Sequence, residues 1–450
     1  MRELLTEAAR RAIAYLEGLE ARGVAPSADA LARLRELDVA LPDDGMPPEQ
    51  VLKTLDEVGS PAAVGSAGSR YFGFVIGGSM PAALAANWLA STWDQNAALV
   101  AASPIAAKLE EVAGRWLLEV LDLPRESGVA FVTGATMANF ASLAAARHAL
   151  LKRKGWDVEA QGLFGAPEIT VVVGQEAHAS LLKALSMVGL GRERVVRVPV
   201  DEQGRMRVDA MPTMHDMTLL CLQAGNVNTG AFDPAAELIE RARNAGAWVH
   251  VDGAFGLWAR ACPSRAQLGA GLEQADSWAT DAHKWLNVPY DSGLAFVRNA
   301  EDLRAAMSTS AAYLLVGDTR EPSHYTPELS RRARGADIWA GLLSIGKKGL
   351  AGMIEQDCRL AERMAGQLRG AGFRILNEVC LNQILVSFGD AERTKQVISS
   401  VQQDGTAWCG GTVWQGQTAM RISVSSWATT EEDADRSVEA IVRAAKAVPA

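Results

Sequence analysis

Long apolar runs are missing from this sequence of 450 residues. The longest candidates, such as Pro81 to Leu89, are too short to span a bilayer, and Asn87 interrupts that one. A basic excess is missing as well. Lys and Arg number 44 against 53 Asp and Glu, a formal net charge of −9, so nothing global neutralises phosphates and a nucleic-acid partner is not expected. Cysteine is scarce and scattered, at Cys221, Cys262, Cys358, Cys380 and Cys409, with no C-x-x-C pair. That pattern implies reduced thiols in a cytoplasmic protein, and no metal site is read from it. The opening residues Met1-Arg2-Glu3-Leu4-Leu5-Thr6-Glu7 carry acids and lack the apolar core of a secretory leader.

What is present is the balance of a globular enzyme, 48% hydrophobic and 22% charged, in a chain long enough for two or three domains. Residues 1–65 read as a helical N-terminal segment, opened by an amphipathic helix over about 1–20 with Leu5, Ile13 and Leu16 at helical spacing. Residues 66–345 alternate strand-like and helix-like stretches. Strands are expected at Gly128 to Val132, Ile169 to Val173, Val195 to Val200, Leu219 to Leu222, Ala247 to Val251, near Trp278, and at Gly293 to Val297. Helices are expected at Met137 to Leu151, Ser180 to Val188 and Ala235 to Ala245. The alternation predicts an α/β fold with a mainly parallel central sheet, which binds ligands at the carboxyl ends of its strands. Residues 346–450 read as a small α+β domain: a long helix ending near Gly370, strands at Ile384 to Phe388 and Met420 to Val424, and a closing helix.

Four short segments carry chemistry, each at a predicted strand end. Asp281-Ala282-His283-Lys284-Trp285-Leu286 offers a lysine which, partly desolvated, becomes a usable amine for a Schiff base with pyridoxal 5′-phosphate (PLP); alone, it reads as a surface lysine. Trp248-Val249-His250-Val251-Asp252-Gly253-Ala254 is an apolar strand ending in an acid able to pair with a protonated pyridine nitrogen, or simply a turn aspartate. Thr133-Gly134-Ala135-Thr136-Met137-Ala138-Asn139 sits between strand and helix, where amides and the Thr136 hydroxyl make an anion site, or an ordinary capped helix. In Gln175-Glu176-Ala177-His178, the imidazole is placed to stack on a ring or to cap a helix. The chain order of the four, phosphate turn, stacking His, ring-nitrogen Asp and Schiff-base Lys, is what makes the set specific.

With these motifs the chain resembles, from about residue 66 onward, the group II PLP-dependent decarboxylases, the family of aromatic-L-amino-acid, histidine and glutamate decarboxylases with the aspartate-aminotransferase fold (fold type I). Asp281 to Leu286 resembles the family's Asn/Asp-x-His-Lys-Trp-Leu. Ala102-Ser103-Pro104, Thr229 to Asp233 and Ser330 to Arg334 are similar to family segments as well. The resemblance implies that Lys284 carries PLP, Asp252 pairs with the ring nitrogen and His178 stacks on the ring. It implies that Ala135 and Thr136 hold the phosphate with help from Asp281 and His283, and that Asn228 approaches the cofactor. It further implies an obligate homodimer clasped by the N-terminal helix.

The activity implied is decarboxylation of an L-amino acid, with an aromatic substrate suggested by Tyr71 to Phe74, the Trp88 to Trp93 region, Trp408 and Trp414. The family's phosphate turn usually has a glutamate where Met137 stands. Its mobile loop supplies a tyrosine that protonates the substrate carbon; between Ala305 and Ser330 only Tyr313 and Tyr325 are available, and Tyr325 beside His324 is the candidate. Retro-aldol cleavage would use the same lysine and aspartate. Transamination would need a carboxylate clamp, for which Arg421 is the one candidate. A binding module without activity is the alternative of another class.

Overall fold

A computed structural model describes residues 1–308 and 320–449; Tyr313 lies outside them. By backbone contacts the chain divides into two compact units, one of Ser79–Arg359 with Asn377–Gln383, the other of Met1–Gly78, Leu360–Leu376 and Ile384–Ala450.

The first unit holds a seven-stranded sheet: β1 (Gly128–Val132), β2 (Thr170–Gly174), β3 (Val196–Val198), β4 (Thr218–Gln223), β5 (Trp248–Asp252), β6 (Ser277–Asp281) and β7 (Gly293–Val297), in the order β1-β7-β6-β5-β4-β2-β3. Every residue of β1, β5, β6 and β7 is buried. Strands apolar on both faces need cover on both faces, which crossover helices provide. β2 with β3, β2 with β4, β4 with β5 and β5 with β6 are parallel, whereas β7 is antiparallel to both β6 and β1. The antiparallel step has a simple cause. Asp281 and Gly293 bound a connection too short for a parallel crossover, which takes a dozen or more residues.

The longer helices in chain order are α1 (Arg2–Glu17), α2 (Pro81–Trp93), α3 (Pro104–Val120), α4 (Ala135–Lys152), α5 (Ala179–Met187), α6 (Ala235–Asn244), α7 (Ala300–Met307), α8 (Arg334–Gly370), α9 (Ala391–Asp404) and α10 (Glu431–Ala447). α4 lies on β6 and β7. Its buried alanines at 138, 141, 144 and 145 let it approach closely. Gly293, at the start of β7, abuts the turn before α4; a Cβ there would stand 2.4 Å from the Gly134 Cα. α8 is broken at Gly346, whose φ of +61° a residue with a Cβ rarely adopts.

Because β2, β4, β5 and β6 are parallel, and β1 is related to β6 through two antiparallel steps, all five carboxyl ends meet one edge of the sheet. That edge therefore receives Gly134, the segment after Gly174, Gln223, Asp252 and Asp281, the setting in which open α/β sheets bind ligands.

The second unit carries a four-stranded sheet, β8 (Arg374–Ile375), β9 (Gln383–Ser387), β10 (Gly410–Trp414) and β11 (Gln417–Ser423), ordered β10-β11-β9-β8. Trp414 packs with Leu385 and Ala419 in a core of that unit. Tyr71 stacks on Trp408 at 5.0 Å between centroids, and Phe74, largely exposed, lies 5.4 Å from the same indole.

Candidate active site

Lys284 leaves the end of β6 on a single helical turn, Ala282–Trp285. Its Nζ is 2.9 Å from Asp281 Oδ2, and its side chain is only 18% exposed. The other Asp281 oxygen accepts the Ala135 amide at 2.5 Å. One carboxylate thus ties the lysine to the first turn of α4. The amide that the resemblance assigns to a phosphate is taken here by Asp281, while the next N-terminal amides of α4, at Thr136 and Met137, lack intrahelical acceptors as at any helix start. His283 lies beside them, with Nε2 3.6 Å from Asp281 Oδ1, Nδ1 accepting the Ser292 amide at 3.0 Å, and its ring stacked on Tyr290 at 4.1 Å. Burial holds the His283 imidazole below its ordinary value against the pull of Asp281.

Asp252 ends β5 almost fully buried. Burial holds its carboxyl above the ordinary range, against the pull of His178, Lys284 and a hydrogen bond from Asn139, and Asp281 adds to the rise. Asp252 and Lys284 stand at the ends of neighbouring parallel strands, β5 and β6. Asn139 Nδ2 donates to Asp252 Oδ2 at 3.2 Å, and the Ala254 amide lies 3.3 Å from Oδ1. A small cavity is lined by His178, Asp252, Cys221, Gln223 and Gly174.

His178 sits just before α5, where its Nδ1 accepts the Ser180 amide at 3.2 Å and pairs with the Ser180 hydroxyl at 2.7 Å. It is therefore a helix cap, and the same bonds fix the plane of an exposed ring. Asn228 lies in the loop after β4, its amide held by the Asn226 side chain at 2.8 Å. Tyr325 follows the undescribed segment. Its ring lies under the Arg320 guanidinium, 4.5 Å away, and no hydrogen bond or ion pair among the described residues joins it to Lys284.

These groups suit PLP. The chain provides a shielded amine at a strand end, a buried carboxylate able to face a ring nitrogen, an exposed imidazole of fixed plane and a helix N-terminus for an anion. The burial of Asp252 carries the test, because an acid so placed is stabilised by a cationic partner.

Two residues inside the quoted segments received no role from the sequence, Asn139 and His250. Both are fully buried, and both stand behind Asp252. Spacing was the available signal: His250 is two residues before Asp252 on one face of a strand, and Asn139 is one helical turn after Ala135.

Comparison with known proteins gives the family. Residues 32–389 match the pyridoxal-dependent decarboxylase conserved domain. The chain is 25% identical to an aromatic-L-amino-acid decarboxylase of Bacillus atrophaeus, over 96% of this chain and 93% of that one. It is 26% identical to tryptophan decarboxylase 1 of Oryza sativa subsp. japonica, over 92% and 87%. The crystal structure of Oryza sativa TDC with PLP and tryptamine superposes with a TM-score of 0.89 at 23% identity, covering 99% of this chain and 97% of that chain, a likeness of fold. The matched domain spans most of the chain and includes every motif described above: this protein belongs to the pyridoxal-dependent decarboxylase family, and its cofactor is PLP.

Proposed function

We propose that this enzyme decarboxylates an aromatic L-amino acid, with Lys284, Asp252 and His178 at the centre of the reaction. The observation that carries the assignment of residues is the Asp252 carboxyl, buried at the end of β5 and lining one small cavity with His178, with Lys284 just past the end of the neighbouring parallel strand β6. PLP supplies, when bound, a ring joined to the substrate amine that accepts the electron pair left by departing CO2. The protein does the rest. Lys284 anchors the cofactor and, once the substrate amine has displaced it, holds a proton at Nζ. Asp252 keeps a proton on the ring nitrogen. His178, its plane set by Ser180, covers one ring face and excludes water. The α4 start at Ala135 and Thr136, with His283 nearby and Asn228 approaching from the loop after β4, orients the phosphate end, and Asp281 holds the Lys284 ammonium. Tyr325 or Lys284 returns a proton to the α carbon, so that an amino acid and one proton become an amine and CO2.

The aromatic preference rests on the two relatives above, whose names specify aromatic-L-amino-acid and tryptophan decarboxylation. Homodimerisation is part of the same reading. No residue of α1 is buried, and Leu5, Ile13 and Leu16 stand exposed along it, as do Trp88, Leu89 and Trp93 on α2. An apolar helix face left in water favours association. The five cysteines are free thiols, which suits the reducing cytoplasm.

The test is CO2 release by PLP-loaded enzyme from L-tryptophan, L-tyrosine and L-phenylalanine beside L-glutamate and L-histidine. The reading expects turnover of at least one aromatic substrate well above both others. Preference for glutamate would overturn the substrate, and aldehyde with a smaller amine would replace decarboxylation by aldol cleavage.

A further inference from the structure

β5 alternates, so Trp248, His250 and Asp252 point to one face of the sheet, and all three are buried. A single line of hydrogen bonds joins them through two neighbouring elements. Trp248 Nε1 lies 3.0 Å from Ser277 Oγ on β6. Ser277 Oγ lies 2.9 Å from His250 Nδ1. His250 Nε2 lies 2.8 Å from Asn139 Oδ1 on α4. Asn139 Nδ2 then reaches Asp252 Oδ2 at 3.2 Å.

The two ends dictate every proton between them. An indole N–H can only donate, and an ionised carboxylate can only accept. Trp248 must therefore donate to Ser277, whose own hydroxyl hydrogen is free to point at His250 Nδ1. From the carboxylate end, Asn139 Nδ2 donates to Asp252, so the Asn139 carbonyl accepts from His250 Nε2–H, and a neutral ring then leaves Nδ1 bare to accept the Ser277 hydroxyl. Rotating the Asn139 amide by half a turn would set its oxygen against the Asp252 carboxylate and its nitrogen against a donating Nε2, so that orientation is excluded by chemistry. A doubly protonated His250 would aim a second donor at Ser277 in a fully buried site where no ion pair among the described residues reaches the ring; burial accordingly pushes its imidazole down to about 3.

We propose that Asn139, His250, Ser277 and Trp248 are positioning residues for the reaction: a neutral, one-way hydrogen-bond chain that ends on Asp252 Oδ2, holds Asp252 ionised, and leaves Oδ1 to the cofactor's ring nitrogen. This rests on the reading that Asp252 meets that nitrogen. Bonds donated in one direction polarise each other, so the last donor is stronger than an isolated amide. His250 moves no proton in this arrangement. It transmits polarity, and a single fixed tautomer is the signature.

Two measurements test it. The first is the imidazole 15N spectrum of His250 in the wild-type holoenzyme from pH 6 to 8.5. The chain requires Nε2 protonated and Nδ1 bare throughout; an Nδ1–H tautomer or an imidazolium would overturn it without any variant being made. The second uses PLP labelled with 15N at the ring, bound to wild type, Asn139→Leu, His250→Phe and Asp252→Ala. The inference expects a protonated ring nitrogen in wild type and a shift toward the unprotonated signal in Asn139→Leu and His250→Phe. It also expects PLP to bind Asn139→Leu on the order of tenfold more weakly, the scale of one lost hydrogen bond to a charged group. A ring signal unchanged by Asp252→Ala would refute the reading of Asp252 itself. A signal lost in Asp252→Ala but unchanged in both chain variants would refute the positioning chain alone.

Discussion

Asp281 is the residue on which the site's local electrostatics turn. Its two oxygens bind the Ala135 amide and the Lys284 ammonium, so a negative charge stands where the phosphate of PLP is proposed to dock. Like charges a few ångströms apart, partly shielded from water, repel by about 1 kcal/mol or more. Asp281→Asn keeps an oxygen for Ala135 and removes the charge. Fluorescence titration of the apoprotein is expected to show PLP binding several-fold more tightly to this variant. Weaker binding would mean that Asp281 supports the phosphate. The motif around Lys284 was legible as a string of letters, and so were Asp252 and His178. The double engagement of Asp281 was not, because it depends on Ala135, 146 residues earlier, being brought to the same sheet edge.

Among the elements, those with a clear period are the ones sequence reading places well. Gly128–Val132 and Gly293–Val297 have the limits expected of them, and α6 and α10 start where their patterns begin. The antiparallel course of β7 is not visible in its composition, since an apolar five-residue run looks the same in either direction; only the short connection from Asp281 reveals it. β10 is hard to see because Gly410 and Gly411 weaken the alternation and Val413 faces solvent. α2, Pro81–Trp93, has no charged residue to mark a polar face. The contact between β7 and the turn before α4 gives a prediction at this scale. In Gly293→Ala the new methyl would press on the Gly134 backbone, which cannot yield as a flexible side chain does. The expected cost is roughly 1–3 kcal/mol of stability. Thermal melting is expected to fall, together with PLP affinity, since the same turn presents Ala135 and Thr136. Unchanged melting and affinity would contradict the close approach.

One response of the molecule to pH follows from a buried acid outside the cofactor motifs. Asp337 at the start of α8 has a fully buried side chain. Its Oδ2 accepts Asn87 at 2.9 Å and Arg332 at 3.1 Å, while Oδ1 has no partner among the described residues. Burial pushes its carboxyl up to about 6 from 3.8. A raised folded value means that the fold favours the protonated form. The stabilisation is complete below pH 4 and is lost as pH rises through 6, about 3 kcal/mol in all. Asp337→Asn removes that dependence, so urea unfolding should show wild type losing stability relative to the variant between pH 4 and pH 7. A constant difference would place the titration elsewhere. The central claim, PLP held by Lys284, is tested most directly by reducing the PLP-loaded enzyme with borohydride and mapping the modified peptide by mass. The account predicts one pyridoxyl group, on Lys284, and none in Lys284→Ala. A pyridoxyl group on another lysine, or none on the wild-type chain, would contradict it.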